Sequence, residues 1–163
     1  MNIDALLERT KHWSTNPGLV LMDIDGCCID SDERWSMFSD KKVEYDEYKT
    51  LHHIDKPILA GCVIYSLLLN HSKLACVFLT SRSEDQRQQT EEQLRILFGY
   101  DASFQLWMKP VGNADPCMEY KLWMLQSKGY EPHHVVLAFD DRPSVVEAYR
   151  AVGITAYQTA VGY

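Results

Sequence analysis

The sequence predicts a doubly wound α/β domain on a parallel sheet, with at most a small flap and no large cap domain. Two observations predict it. Short runs that are apolar on both faces recur along the chain, as strands covered on two sides require. Longer helical patterns separate those runs, so successive strands are joined by crossovers and lie parallel. A third feature locates the interest: three of the runs end directly in polar residues. Taken in order, residues 1–17 are expected to form an N-terminal helix and a linker ending at Asn16-Pro17. GLVLMDID, from Gly18, reads as the first buried strand, and residues 26–56 as a flap or insert. Pro57 opens a helix running through Ile64 and Leu68, and LACVFLTS (Leu74 to Ser81) is the second strand. Ser83 caps a helix that begins Glu84-Asp85 and places Leu94, Leu97 and Phe98 on one side. SFQLWMK is the third strand, and a helix follows from about Pro116 to Lys128, closed by Gly129. VVLAFDD is the fourth strand, Pro143 opens a last helix ending at Gly153, and ITAYQT is the fifth strand.

At 163 residues the chain reads as one domain, 1–163. Asp4, Glu8, Arg9 and Lys11 interrupt the N-terminus, which excludes the apolar core of a signal peptide. The longest apolar runs, such as CVIYSLLL, fall short of the roughly 20 residues a membrane span needs. A soluble, cytoplasmic protein with no membrane partner is expected, and the oligomeric state stays open. Five scattered cysteines with no CxxC spacing argue for reduced thiols and against a zinc site. The net charge of −7 opposes broad binding to polyanions, while leaving room for a local basic pocket around one phosphate.

A fold of this class takes its ligand at the carboxyl ends of the strands. Asp23 and Asp25 end the first strand, Thr80 and Ser81 the second, Asp140 and Asp141 the fourth. All three clusters should therefore converge on one crevice. Four carboxylates meeting there repel one another unless a cation neutralises them, and an oxygen-rich set of this kind suits magnesium. One Asp after a strand is commonly just a turn or helix cap; three clusters at three strand ends are much harder to explain that way. The two carboxylates of D-I-D-G point to the same side of an extended strand, and Gly26 lets the chain turn sharply beside a ligand. One carboxylate can attack phosphorus to give an aspartyl-phosphate, while the second protonates the leaving oxygen and then activates water.

The order VLMDIDG, FLTSR, a later lysine and AFDDR resembles the haloacid dehalogenase superfamily of phosphotransferases. Within it, the chain is most similar to the phosphatase domain of phage polynucleotide kinase–phosphatases, from about Gly18 onward and above all in VVLAFDDRPSVVEAYRAVGITAYQTAVG. The resemblance implies that Asp23 is the nucleophile and a magnesium ligand. It makes Asp25 the general acid and base, with its main-chain carbonyl on the metal. Thr80 would hydrogen-bond the phosphoryl group, with Ser81 beside it. Lys121, in EYKLWML, would neutralise the phosphoryl oxygens, although Lys109 and Lys128 lie nearby. Asp141 is assigned to the metal's inner shell and Asp140 to its support, and the reverse order stays open. Arg82 and Arg34 match phosphate-binding arginines in local context, or else sit in ion pairs with Asp32, Glu33, Glu84 and Asp85. Arg142 is read as a structural partner of Asp140.

Two departures from the family stand out. Cys27 replaces the usual threonine after Gly26, which loses a hydroxyl hydrogen bond, and Ser81 replaces a glycine. Cys27 and Cys28 as a catalytic pair have no histidine near them in sequence. His52-His53 and His133-His134 lack metal-ligand spacing and are read as loop residues. SDERWSMFSDKKVEYDEYKTLHHIDK suits a mobile flap, in which Trp35, Phe38 and Tyr45 either stack on a base or hold the flap down. The expected substrate is a phosphorylated nucleic-acid end or nucleotide, most specifically a 3′-phosphate. Alternatives are a nucleotidase or small-metabolite phosphatase, or an inactive binding module on the same fold. No GxxxxGK[ST] loop occurs, so this sequence carries no kinase half of that type.

Overall fold

The computed structural model describes residues 18–70, 73–99 and 104–159; the N-terminal helix and linker expected at residues 1–17 lie outside them. The chain runs β1 (Gly18–Met22), β2 (Ile29–Asp30), α1 (Asp32–Ser39), α2 (Tyr45–Tyr48), a 3₁₀ turn (Leu51–Ile54) and β3 (Lys56–Pro57). It continues through α3 (Leu59–Leu69), β4 (Leu74–Ser83), a 3₁₀ turn (Glu84–Gln86), α4 (Arg87–Phe98) and β5 (Gln105–Lys109). The last part is α5 (Cys117–Ser127), a 3₁₀ turn (Pro132–His134), β6 (Val135–Asp140), α6 (Pro143–Ala151) and β7 (Ala156–Gln158). Five strands form one parallel sheet in the order β5-β4-β1-β6-β7.

The two-faced apolar runs are explained by where their side chains go. Along β1, Leu19 and Leu21 enter one core with Tyr120 and Leu125 of α5 and Val145 and Tyr149 of α6. Val20 and Met22 enter the other, with Phe78, Tyr65 of α3 and Leu94 of α4. Period-2 alternation thus carries apolar side chains to both faces, and helices cover both. Phe78 and Tyr65 stack with ring centroids 4.0 Å apart at the centre of the second core.

Strand register positions the site. Met22 is level with Phe78 of β4 and with Phe139 of β6. The residues that follow, Asp23, Thr80 and Asp140, therefore leave the sheet at neighbouring points, and the Asp23 N–H bonds to the Phe139 carbonyl at 3.0 Å.

Two helix starts differ from expectation. Pro57 does not open a helix; it pairs with Ile29 in the two-stranded β2–β3 ribbon, and α3 begins two residues later. Proline has no N–H to give and fits the edge of so short a ribbon. Ser83 is the last residue of β4, and the 3₁₀ turn at Glu84–Gln86 delays α4 until Arg87. The other helices lie within the spans expected for them, and Gly129 and Gly153 follow α5 and α6 at φ 79° and 88°, the left-handed backbone that glycine favours.

Between β1 and α3 the stretch read as a flap or insert has its own short elements. The β2–β3 ribbon encloses α1, α2 and a 3₁₀ turn, and Arg34, His52 and Asp55 from this stretch are buried against the sheet's end. Trp35, Phe38, Tyr45 and Tyr48 pack on one another on its outer side. Among the described residues, no helix is long and apolar enough to cross a membrane.

Candidate active site

Asp23 is buried at the end of β1. Its Oδ1 accepts the Ile24 N–H at 2.8 Å, which fixes the carboxylate, and its Oδ2 lies 2.8 Å from the Lys121 ammonium. Lys121 is 1% exposed and also reaches Asp140 Oδ2 at 2.6 Å, so one cation binds two strand ends together. The other oxygen of Asp140 accepts the Arg142 N–H at 3.0 Å. Arg142 thus meets Asp140 through its backbone, while its guanidinium turns to Cys117 Sγ at 3.0 Å. Lys109 bonds the Asp115 carbonyl and Lys128 lies over Trp107, so neither takes the place of Lys121 beside Asp23.

Asp23, Asp140 and Asp141 bring their oxygens within 4.8 Å of one another. Burial first, then the charges of Asp140, Asp141 and Asp25, push Asp23 up to about 7 against the opposing pull of Lys121. Asp141 is likewise raised by burial and by Asp140. Burial alone would lower Lys121, but Asp140 and Asp23 hold it well above its usual value. Three carboxylates stand around one lysine that pairs with two of them, and an all-oxygen donor set left with net negative charge fits a hard dication such as magnesium. Gly26, at φ 72°, is needed here for a second reason: a Cβ on it would overlap the Asp141 side chain.

Thr80 is buried, and its Oγ1 accepts the Arg82 N–H at 3.1 Å, which leaves its own hydroxyl hydrogen to donate. Ser81 Oγ is buried with no hydrogen-bond partner among the described residues. Cys27 keeps its Sγ 3.0 Å from Thr159 Oγ1, and that hydroxyl also donates to the Gly26 carbonyl at 3.0 Å. A threonine from the far end of the chain thus stands beside the loop that lost one. Burial and Asp23 hold the Cys27 thiol well above its usual pKa, so it stays protonated and is no nucleophile.

The side chains of Arg82 and Arg34 are engaged by carboxylates of the protein itself. Arg82 grips Asp25 with Nε and Nη2 at 2.8 and 2.7 Å, while its Nη1 meets Gln93 at 2.7 Å and His52 at 3.2 Å. Arg34 donates Nε to both oxygens of Asp55 at 2.9 and 3.1 Å and lies 4.6 Å over the Tyr48 ring. The ion pairs of the two arginines are thus with the carboxylates of Asp25 and Asp55. Burial would raise Asp25, but Arg82, by charge and hydrogen bonds, and then Arg34 hold it well below the usual carboxylate range. Its carboxylate faces these arginines and stands apart from the three-carboxylate cluster.

The sequence concealed His52, Asp55, Gln93 and Thr159. His52, read as a loop residue, is buried and bonds Gln86 through Nε2 at 3.1 Å. Burial and Arg82 push it down to about 4, so it is neutral, accepting from Arg82 at Nδ1 and donating to Gln86 at Nε2. One signal for Asp55 was present: it is the last acid before the apolar helix, where the insert must rejoin the sheet.

The polynucleotide kinase PNKP phosphatase domain family matches residues 17–163. A protein of Autographa californica nuclear polyhedrosis virus, assigned as a bifunctional polynucleotide kinase/RNA ligase, is 30% identical over 140 residues, or 85% of this chain and 18% of that protein. Among solved structures, a chain of the Pnkp1/Rnl/Hen1 complex aligns at a TM-score of 0.71 and 17% identity, over 92% of this chain and 48% of that one. A haloacid dehalogenase-like hydrolase of Streptococcus pneumoniae aligns at 0.62 and 12% identity, over 88% and 85% of the two chains. At such identities the structural matches speak for the fold alone. The chain spans less than a fifth of its viral relative and about half of the repair-complex chain.

Fold and family match together define a haloacid dehalogenase-type phosphatase, a phosphoric monoester hydrolase. Within that class the chain belongs to the family of polynucleotide kinase PNKP phosphatase domains.

Proposed function

We propose that this domain is a magnesium-dependent phosphomonoesterase that forms an aspartyl-phosphate on Asp23 and removes 3′-phosphates from polynucleotide ends. The observation that carries the chemistry is Lys121, buried and paired at once with Asp23 and Asp140, beside Asp141. Asp23, Asp141 and the Asp25 carbonyl would hold magnesium, with Asp140 behind them. The ion would supply neutralisation of phosphoryl charge as the nucleophile approaches.

In the first half-reaction an oxygen of Asp23, its rotamer fixed by the Ile24 N–H, bonds to phosphorus as the ester P–O bond breaks. Protonated Asp25 gives its proton to the leaving oxygen. In the second, Asp25 takes a proton from water, the water oxygen bonds to phosphorus, and the Asp23–phosphorus link breaks. Because Arg82 and Arg34 favour the ionised form of Asp25, this second role suits it best. Lys121 and the Thr80 hydroxyl offset the charge that builds on the phosphoryl oxygens in both halves. Ser81 Oγ lies close by in sequence as a further donor.

The family supports a nucleic-acid end as substrate, and the small insert in place of a large cap leaves room for a polymer. Five free cysteines accord with a reducing, cytoplasmic setting. Phosphate release should be compared across 3′- and 5′-phosphorylated oligonucleotides, mononucleotides and sugar phosphates. The 3′-phosphorylated oligonucleotide should give the highest kcat/KM. Equal efficiency on both ends, or preference for a mononucleotide or sugar phosphate, would reject the polynucleotide reading and leave the phosphatase.

A further inference from the structure

α3, LAGCVIYSLLL, carries no charged residue and is apolar on every side. One side is accounted for. Gly61 and Tyr65 are buried, and Cys62, Leu68 and Leu69 pack against the second core. Gly61 comes so close to the Cys27 carbonyl that a Cβ would overlap it, which sets α3 directly behind the loop after Asp25. The opposite side is bare. Leu59, Val63 and Leu67 follow one another at every fourth residue and are 73%, 58% and 71% exposed. A helix that is apolar all round belongs inside a protein, and a continuous apolar stripe marks a surface that something covers.

Place, pattern and length identify the cover. The Gly18 N–H bonds the Lys73 carbonyl at 3.0 Å, just past the end of α3 at Leu69, so residues 1–17 join the fold beside the C-terminal end of the stripe. In a helical reading of residues 3–11, Ile3, Leu6 and Leu7 fall on one side, and Asp4, Glu8 and Lys11 on the other. Such a helix spans about 13 Å, the same as the stretch from Leu59 to Leu67. The remaining link, His12 to Pro17, reaches about 20 Å when extended, enough to carry the chain from the sheet past a helix about 10–12 Å thick. A second molecule is the poorer fit, because three aliphatic side chains fall well short of the roughly 800 Å² per partner that a stable interface takes. A tethered segment has no such need, since its effective concentration is of millimolar order. We propose that residues 1–17 strap the outer side of α3 in their own chain, with Ile3, Leu6 and Leu7 docked on Leu59, Val63 and Leu67. The strap runs parallel to α3 and leaves Asp4, Glu8 and Lys11 in water.

Thermal unfolding of the full chain tests this with Leu67→Glu, Leu7→Glu and the two together, a readout independent of phosphatase activity. Each single variant should lower Tm by about 5 °C, the scale of one leucine removed from an apolar contact in a chain of this length. The pair should cost little more than one alone, because either substitution already breaks the same contact. An unchanged Tm in both single variants would overturn the strap, since uncovered sites tolerate such changes. So would losses that add, or a loss with Leu67→Glu that Leu7→Glu does not share. Sedimentation should give the parent and Leu67→Glu the same mass; a dimer that the substitution dissociates would assign the stripe to a second copy instead. Should a glutamate variant not fold, Leu67→Ala and Leu7→Ala run the same cycle with smaller shifts.

Discussion

Two charged clusters flank the end of β1, and they follow opposite rules. On one side, Lys121 pairs with Asp23 and Asp140 beside Asp141, leaving more carboxylates than cations, and Asp23 and Asp141 are pushed up in pKa. On the other, Asp25 and Asp55 are matched one to one by Arg82 and Arg34, and Asp25 is pushed down. The difference comes from cation count and geometry, since both clusters are buried. An arginine offers five donors in a fixed fork and can bridge two carboxylates, whereas one lysine cannot satisfy three. The first cluster is built to accept charge from outside, the second is closed.

The sharpest way to break this contrast is Asp23→Asn. Turnover should drop by more than about 10³-fold, measured as phosphate release, because the variant lacks the proposed nucleophile. The same variant should melt no lower than the parent in chelator, since it removes a carboxylate from a cluster with too many. Near-parental turnover in the folded variant would end the covalent mechanism. Lys121→Met acts on stability as well as rate. It strands two buried carboxylates, and chemical denaturation should register a loss of about 3–5 kcal/mol.

Protons and metal distinguish the two sides next. Asp23 has a folded pKa of about 7 against an ordinary 3.8, so between those values unfolding releases a proton. Without a cation its contribution to stability therefore falls as pH rises. His52, at about 4 against 6.5, works the other way, and its contribution grows with pH across that window. Only the first should respond to magnesium. The stabilisation that magnesium gives over chelator should be small at pH 5 and increase toward pH 7, reaching about 2.7 kcal/mol at 100 times its Kd. A magnesium increment independent of pH would mean that the ion binds elsewhere. Smallest is Trp35→Ala, on the outer side of the arginine cluster, where the ring is 47% exposed. It should raise KM for an oligonucleotide by an amount worth about 1 kcal/mol and leave p-nitrophenyl phosphate unaffected. Equal changes on both substrates would return the insert aromatics to a purely structural role.

The first cluster could be foreseen whole, whereas in the second Asp25, Arg82 and Arg34 were singled out but Asp55 and the pairing were not, for a physical reason. Asp23, Thr80, Asp140 and Asp141 each follow an apolar strand directly, so the parallel-sheet rule alone gathers them, and Lys121 was reached through family likeness. His52 and Asp55 lie in a polar, aromatic stretch without periodicity, and their partners Gln86 and Gln93 are 34 and 38 residues away. Nothing local marks such a contact. Arg82 was picked out correctly as a residue of the region, but a side chain's direction is decided by which acceptors are buried near it. Pro57 was misplaced because proline serves a ribbon edge as readily as a helix start.

The sheet order carries a last consequence. β1 is the central strand, flanked by β4 on one side and β6 on the other. β6 begins at Val135, more than a hundred residues after β1, so a ribosome makes one flank of GLVLM long before the other. Until then a wholly apolar strand carries an unpaired edge, the kind of surface that other chains join. The nascent domain should lean on holdase chaperones while the stretch from β1 to β6 is being made, and that need should end abruptly once β6 clears the exit tunnel.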